Sequence, residues 1–208
     1  RRVVTAELVH YPAYEEAGIL ASGMERLPQN LRAMRLKQVC RLQYGESLPA
    51  DLRESGVVPV YGSNGRVGSH STSNTLAPCI IIGRKGSFGK VNFSHDAVFA
   101  IDTTYFVDKR LTNADLKWLF YVLSWCRLDD ASRDSAIPGL DRSEAYERPL
   151  PVPMRDEQRT IARYLDAKSA QVNRFIRNRR RLIALLNEQK QAIIHQAVTR
   201  GLDPNVRL

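Results

Sequence analysis

The sequence predicts an α+β protein, a β-rich globular domain followed by a long C-terminal α-helix that pairs as a coiled coil. Three observations lead there. Between Arg155 and Arg200 there is neither Pro nor Gly, and apolar residues recur at helical 3/4 spacing. Upstream, short β-branched and aromatic segments alternate with Gly, Ser, Asn and Pro. Between the two lie Pro149, Pro151 and Pro153, which favour an extended exit from the domain.

The 208 residues include 31 Lys and Arg against 22 Asp and Glu, for a formal charge of +9. With 43% hydrophobic and 25% charged residues the composition is globular, which excludes general disorder and a collagen-like fibre. No apolar run approaches the ~20 residues of a membrane span. The longest, Leu116 to Cys126, is short and carries Lys117. The first residues lack the apolar core of a signal peptide. The chain does not begin with Met, as expected of a fragment or a trimmed chain. Cys40, Cys79 and Cys126 are far apart and form no C-x-x-C pair, so neither a zinc knuckle nor a disulfide framework is predicted. A reduced cytoplasmic protein fits best. The charge suggests a polyanionic partner, although a basic balance can also serve solubility alone. Its location matters: residues 155–200 hold 11 basic and 4 acidic side chains, whereas residues 35–154 hold 15 and 13.

Residues 1–34 read as a lead-in segment and 35–153 as the globular domain. Strands are predicted at Val57–Tyr61, Cys79–Ile82, Val91–Phe93, Ala97–Ile101 and Thr104–Val107. One helix is expected from about Asn113 to Leu128, capped by Thr112 with Asp115 three residues later, and with Leu116, Leu119, Phe120, Leu123 and Trp125 on its apolar side. A second helix should occupy 154–200, ahead of a tail or linker at 201–208. At ~1.5 Å per residue it is a rod of roughly 69 Å, longer than a domain of this size can cover. Its stripe of Leu165, Val172, Phe175, Leu182, Leu186 and Ile193 therefore needs a partner helix that this chain does not offer. Lys168, Arg179 and Gln189 fall at or near core positions, so an unusually stable coiled coil is not expected.

Two loops stand out for chemistry. Gly83-Arg84-Lys85-Gly86-Ser87-Phe88-Gly89-Lys90 is not a Walker loop, because no Gly-Lys-Ser/Thr follows at the required spacing. It is not a dinucleotide fingerprint either, because strand-like residues follow it. What remains is a basic β-turn able to approach phosphate or guanine edges, or a hairpin whose glycines serve positive φ. The loop Tyr61 to Gly68 offers Asn64, a candidate adenine reader, and Arg66, a candidate guanine reader; an ordinary surface hairpin fits equally. No catalytic or metal-binding constellation emerges. His10, His70, His95 and His195 lack partners at useful spacing, no serine sits in a nucleophile elbow, and Asp96, Asp102 and Asp108 lack the Glu-x-Lys of a metal nuclease.

The most specific residues lie at the junction, Leu150-Pro151-Val152-Pro153-Met154-Arg155-Asp156-Glu157-Gln158-Arg159-Thr160-Ile161 through Leu165. This resembles the P-x-P-x-x-E-Q-x-x-I-x-x-x-L passage of type I restriction–modification specificity subunits, with one extra residue before Glu157. Gly83 to Val91 resembles the G-x-x-G-S-x-G-K-V turn of their target-recognition domains. Ala136-Ile137-Pro138-Gly139-Leu140 resembles a late P-x-L loop, and Arg35-Leu36-Lys37 with Gly45 the start of such a domain. Tyr11-Pro12-Ala13-Tyr14 and the segment from Ala197 to Val206 resemble the flanking segments.

The resemblance implies a DNA-binding subunit without chemistry of its own. Each recognition domain would read half of a bipartite site in double-stranded DNA. The conserved helices would pair antiparallel, set the spacing and dock methyltransferase subunits, and the complex would recruit a restriction subunit. S-adenosylmethionine and ATP would be cofactors of those partners, with none for this chain. The expected DNA-contacting set is Asn64, Arg66, Arg84, Lys85, Ser87, Lys90 and Arg133. Family members usually carry two recognition domains and two helices; this chain has one of each. A fragment of a full subunit and a half-subunit that dimerises both supply the second helix. The basic side chains of the rod could meet phosphate, an acidic partner or only solvent. From a different class, a coiled-coil adaptor that binds no DNA is the alternative, against which the basic Gly-rich turn argues.

Overall fold

The computed structural model describes residues 31–130 and 139–201. They divide into two compact units, with the boundary between Ala162 and Arg163.

In the first unit the organising element is the most apolar strand of the sequence. Cys79-Ile80-Ile81-Ile82-Gly83 forms β5 (Cys79–Gly83), and all five residues are buried. A continuous apolar run is what a strand covered on both faces requires. It pairs antiparallel with β6 (Val91–Ser94) on one side and β8 (Thr104–Asp108) on the other. β2 (Gln43–Tyr44) completes a four-stranded sheet of order β2-β8-β5-β6. Alternation along β5 splits the core. Ile80 and Ile82 pack into the main cluster with Leu36, Tyr105, Val107, Trp118, Leu119, Leu123 and Leu150, while Cys79 and Ile81 join Tyr61 and Val98 in a smaller one. A second sheet has the order β4-β3-β7. In it β3 (Val58–Gly62) pairs antiparallel with β4 (Gly65–His70) and parallel with the short β7 (Phe99–Ala100).

The end of β8 is held by a buried carboxylate. Asp108 accepts hydrogen bonds from the Leu76 amide (3.0 Å), the Arg110 amide (2.9 Å) and Arg110 Nε (3.1 Å). Burial alone would raise the pKa of Asp108, but the Arg110 side chain and the two amides outweigh it and hold the carboxyl below its usual value. The three cysteines are free and buried. Burial pushes the Cys40 and Cys126 thiols up to about 12 and Cys79 to about 11, so they pack as small apolar groups.

The main helix of this unit is shorter than the sequence suggests. It runs from Leu116 to Trp125 (α2 here), and Asp115 caps it: its Oδ1 accepts from the Lys117 (3.0 Å) and Trp118 (2.9 Å) amides. Thr112, the expected cap, instead accepts from the Ala114 amide and donates to the Val39 carbonyl of α1 (Leu36–Val39). That local turn takes the amide a helix start would need, and Asp is the stronger cap residue.

The ends of the domain close on each other. β1 (Arg32–Arg35) pairs antiparallel with β9 (Pro149–Val152), Arg32 opposite Val152 and Arg35 opposite Pro149. The proline-rich exit is therefore a strand, in a two-stranded ribbon where missing N–H groups are tolerated. α3 (Arg142–Glu147) precedes it, and Glu147 forms ion pairs with Arg35 and Lys37. β9 leads through Pro153 and Met154 into α4 (Arg155–Arg200), with Asp156 and Glu157 in the first turn, where the helix dipole favours acids. Gln158 is buried and bonded at both ends of its amide. Its Nε2 donates to the Pro153 carbonyl (3.0 Å), and its Oε1 accepts from the Asp115 amide (2.8 Å) at the start of α2.

Among the described residues, the second unit, from Arg163 onward, is the remainder of α4 and Gly201. Leu165 is partly covered, while Val172, Phe175, Leu182, Leu186 and Ile193 are exposed, from 44% at Leu182 to 59% at Ile193. No helix among the described residues is long and apolar enough to cross a membrane.

Replacing Gln158 by Ala should leave the Asp115 amide and the Pro153 carbonyl unpaired, at a cost of about 1–3 kcal/mol. Calorimetry of Gln158→Ala should show a melting temperature lowered by several degrees; an unchanged value would mean that the amide bonds do not hold the junction.

Candidate nucleic-acid interface

Three loops at one end of the sheets meet on a single carbonyl. β3 and β4 are joined by Ser63 and Asn64, with Gly62 paired to Gly65 and Gly65 at φ +121°. β5 and β6 are joined by residues 84–90, and β7 leads into β8 through 101–103. The Thr103 carbonyl accepts from the Arg84 amide (2.8 Å), the Lys85 amide (3.2 Å) and the Ser63 hydroxyl (3.2 Å). Lys90 Nζ donates to the Asn64 backbone carbonyl (3.0 Å) and to its Oδ1 (2.9 Å). The two loops singled out in the sequence are thus bonded to each other, although 26 residues separate Asn64 from Lys90.

The glycines of the second loop are explained by the loop itself. A Cβ on Gly83 would stand 2.2 Å from the Ser87 carbonyl oxygen. Gly89 has φ +75°, and a Cβ there would stand 2.3 Å from the Asp129 amide nitrogen. These glycines serve close packing and a left-handed backbone. They do not mark a ligand, so a binding role rests on the side chains between them.

Those side chains divide by exposure. Asn64, Arg66, Lys85 and Ser87 are exposed. The Arg66 Nε donates to the Gly68 carbonyl at 3.3 Å, which aligns the side chain along its own strand. Lys90 is half-buried, and its bond to Asn64 Oδ1 occupies the acceptor that a bidentate adenine contact uses. Arg84 is half-buried, its guanidinium carbon 5.1 Å from the centre of the Tyr44 ring and 6.0 Å from that of Tyr105. Arg133 lies outside the described residues.

The structure adds two residues that the sequence reading missed. Gly139 forms an isolated bridge with Lys85, and the Leu140 amide donates to the Arg84 carbonyl at 2.8 Å. The Tyr105 hydroxyl donates to the Leu140 carbonyl at 3.2 Å; burial, followed by the nearby Tyr44, raises its pKa. This segment delivers Arg142 to the same place, its guanidinium carbon 4.8 Å from the Tyr44 ring centre. Tyr44 and Arg142 are 98 positions apart, and neither sits in a motif, so only the fold joins them. The neighbouring Asp141 carboxylate accepts from the Ser143 and Glu144 amides as the cap of α3. Among the described residues, no group of three or more His, Cys, Asp or Glu side chains is placed to hold a metal ion.

The first unit is thus a β-rich domain with basic loops gathered at one end, and its outgoing strand passes directly into the long helix α4. The chain belongs to the family of the type I restriction modification DNA specificity domain, whose model matches residues 28–184. Among solved structures, it is similar to a chain from the type I R-M system studied for complex assembly and conformational transition, at 22% identity and a TM-score of 0.73 over 91% of this chain and 51% of that one. It is also similar to the type I restriction-modification S subunit from M. genitalium, at 19% identity and a TM-score of 0.60 over 84% of this chain and 48% of that one. For the HsdS subunit from Thermoanaerobacter tengcongensis the identity is 23% and the TM-score 0.61, over 85% and 47%. The chain thus spans about half the length of these structures. No curated protein matches it.

Proposed function

We propose that this chain acts as a DNA specificity subunit, or as half of one, reading one half of a bipartite target. The observation that carries the reading is the convergence of Asn64, Arg66, Arg84, Lys85, Ser87 and Lys90 on one loop end, where Lys90 and Asn64 bond directly. Exposed Arg and Lys side chains there suit phosphate and guanine edges, and Ser87 suits either base or backbone. Residues 35–153 read DNA in this account, and 154–200 form the spacer.

The exposed apolar stripe of α4 supports pairing with a second conserved helix, from the other half of a full subunit or from a second copy. A surface of this kind gains stability only when another helix covers it. The paired helices dock methyltransferase subunits, and the assembly recruits the restriction subunit. This chain selects the site, and its partners perform the chemistry.

In the assembled enzyme, Arg66→Ala and Lys85→Ala should each weaken binding to the target duplex by about 1–3 kcal/mol if each makes a specific base contact. Titration with labelled duplex measures this, and unchanged affinity in both variants would remove the loop end from the interface. Placing a charge in the stripe with Leu186→Asp should abolish helix pairing and methyltransferase assembly in analytical ultracentrifugation. Normal complex formation by that variant would contradict the coiled-coil role.

A further inference from the structure

Two guanidinium groups converge on one tyrosine ring at the loop end, and we propose that Tyr44, Arg84 and Arg142 form a clamp that seats one backbone phosphate of duplex DNA. This inference rests on the DNA-reading role above and assigns a positioning contact within it.

The guanidinium carbons of Arg84 and Arg142 lie 5.1 and 4.8 Å from the same ring centre, so the two cations are at most about 10 Å apart. Among the described residues neither is bonded to a carboxylate. The nearest acid in sequence, Asp141, spends its carboxylate on the amides of Ser143 and Glu144. Arg84 Nε is buried without a hydrogen-bond acceptor. The negative face of the Tyr44 ring partly offsets the two charges, but a ring is a weak substitute for an anion. The cluster therefore gains most from a group with several acceptor oxygens and a full negative charge, to which the planar guanidinium fork is matched.

The clamp is also held in place before any ligand arrives. The backbone of Arg84 is fixed on both sides, its amide donating to the Thr103 carbonyl and its carbonyl accepting from Leu140, each at 2.8 Å. Arg142 occupies the first position of α3, directly after its capping residue. Little further ordering is needed on binding. Tyr44 is 39% exposed, and two cations already lie against its ring, so its role is to hold them rather than to stack on a base. DNA is favoured over an acidic protein because Arg84 adjoins Lys85 in the loop proposed to read bases, and backbone phosphates flank every base that is read. Phosphate contacts fix register and carry no sequence information.

The test uses the full chain and a mixed-sequence duplex of about 30 base pairs, titrated at several salt concentrations. Arg142→Gln should weaken binding roughly fivefold, and combining it with Arg84→Gln should lower the slope of log K against log salt by about 0.9, the value for one lost phosphate contact. The loss should be equal on a second, unrelated duplex. Arg142→Lys should retain the slope, because an ammonium still neutralises a phosphate. Arg84→Gln alone is the second variant and should weaken binding to a similar degree, so the test does not depend on one variant folding. An unchanged affinity in both Gln variants, or an unchanged slope in their combination, would overturn the clamp and leave the DNA-reading role intact. A loss confined to one duplex would make Arg142 a base reader, and a loss of methyltransferase assembly with DNA binding unaffected would make the cluster a protein contact; either overturns the proposal. If the unsubstituted chain binds neither duplex, the DNA-reading role and the clamp fall together.

Discussion

The structure depends on the closure of the β-rich domain at its own two ends. β1 and β9 pair antiparallel, so the chain enters and leaves at one place although more than a hundred residues separate the strands. The Leu36 amide donates to the Arg148 carbonyl beside this ladder, and Glu147 pairs with Arg35 and Lys37. The ion pairs are exposed and contribute little by themselves. The stronger tie is Gln158, whose buried side chain connects the turn before α4 to the first residues of α2. Through it, the first turns of α4 belong to the same core as the β-sheet, as the burial of Ala162 in the main cluster also shows.

Order then passes from that core to the loops. β5 is buried on both faces and holds β6 and β8 in register, with Gly83 opposite Thr104. The loops leaving this end are consequently close enough to share the Thr103 carbonyl and the Lys90–Asn64 bonds. Gly83 permits the return of Ser87, and Gly89 permits the approach of Asp129. A rigid sheet presenting basic loops tolerates changes in the exposed side chains while the bonds beneath them stay fixed.

Much of this was legible in the sequence, for identifiable reasons. α4 was readable from composition and periodicity, since 46 residues without Pro or Gly leave few alternatives. β5 was readable from its apolar run, and the junction from its Pro and Glu-Gln residues. What escaped were features that depend on distant partners. A ribbon strand containing Pro149 and Pro151 reads as extended coil until β1 is placed beside it. Thr112 and Asp115 can both cap, and the turn that Thr112 makes with Ala114, visible only in the structure, helps to decide for Asp115. The Tyr44–Arg142 contact lacks any local signature, and the double bonding of Gln158 needs the start of α2 nearby. The side chains of the loop end could be named from residue type, whereas their engagement, such as Lys90 capturing Asn64, required geometry.

The net charge also acquires a clearer meaning. Most of the excess lies on α4, where exposed arginines and an apolar stripe occupy the same helix. The β-rich domain is nearly balanced, so the proposed reading draws its affinity for DNA from a few placed cations rather than from a general field. The most direct test of the account is to map methylated sites in DNA from cells carrying the complete system, with this chain unchanged and with Arg66 and Lys85 both replaced by Ala. The account predicts that the motif loses definition at bases of the half-site read by this domain while the spacing between halves is preserved. An unchanged motif, or a changed spacing with every base still specified, would contradict it.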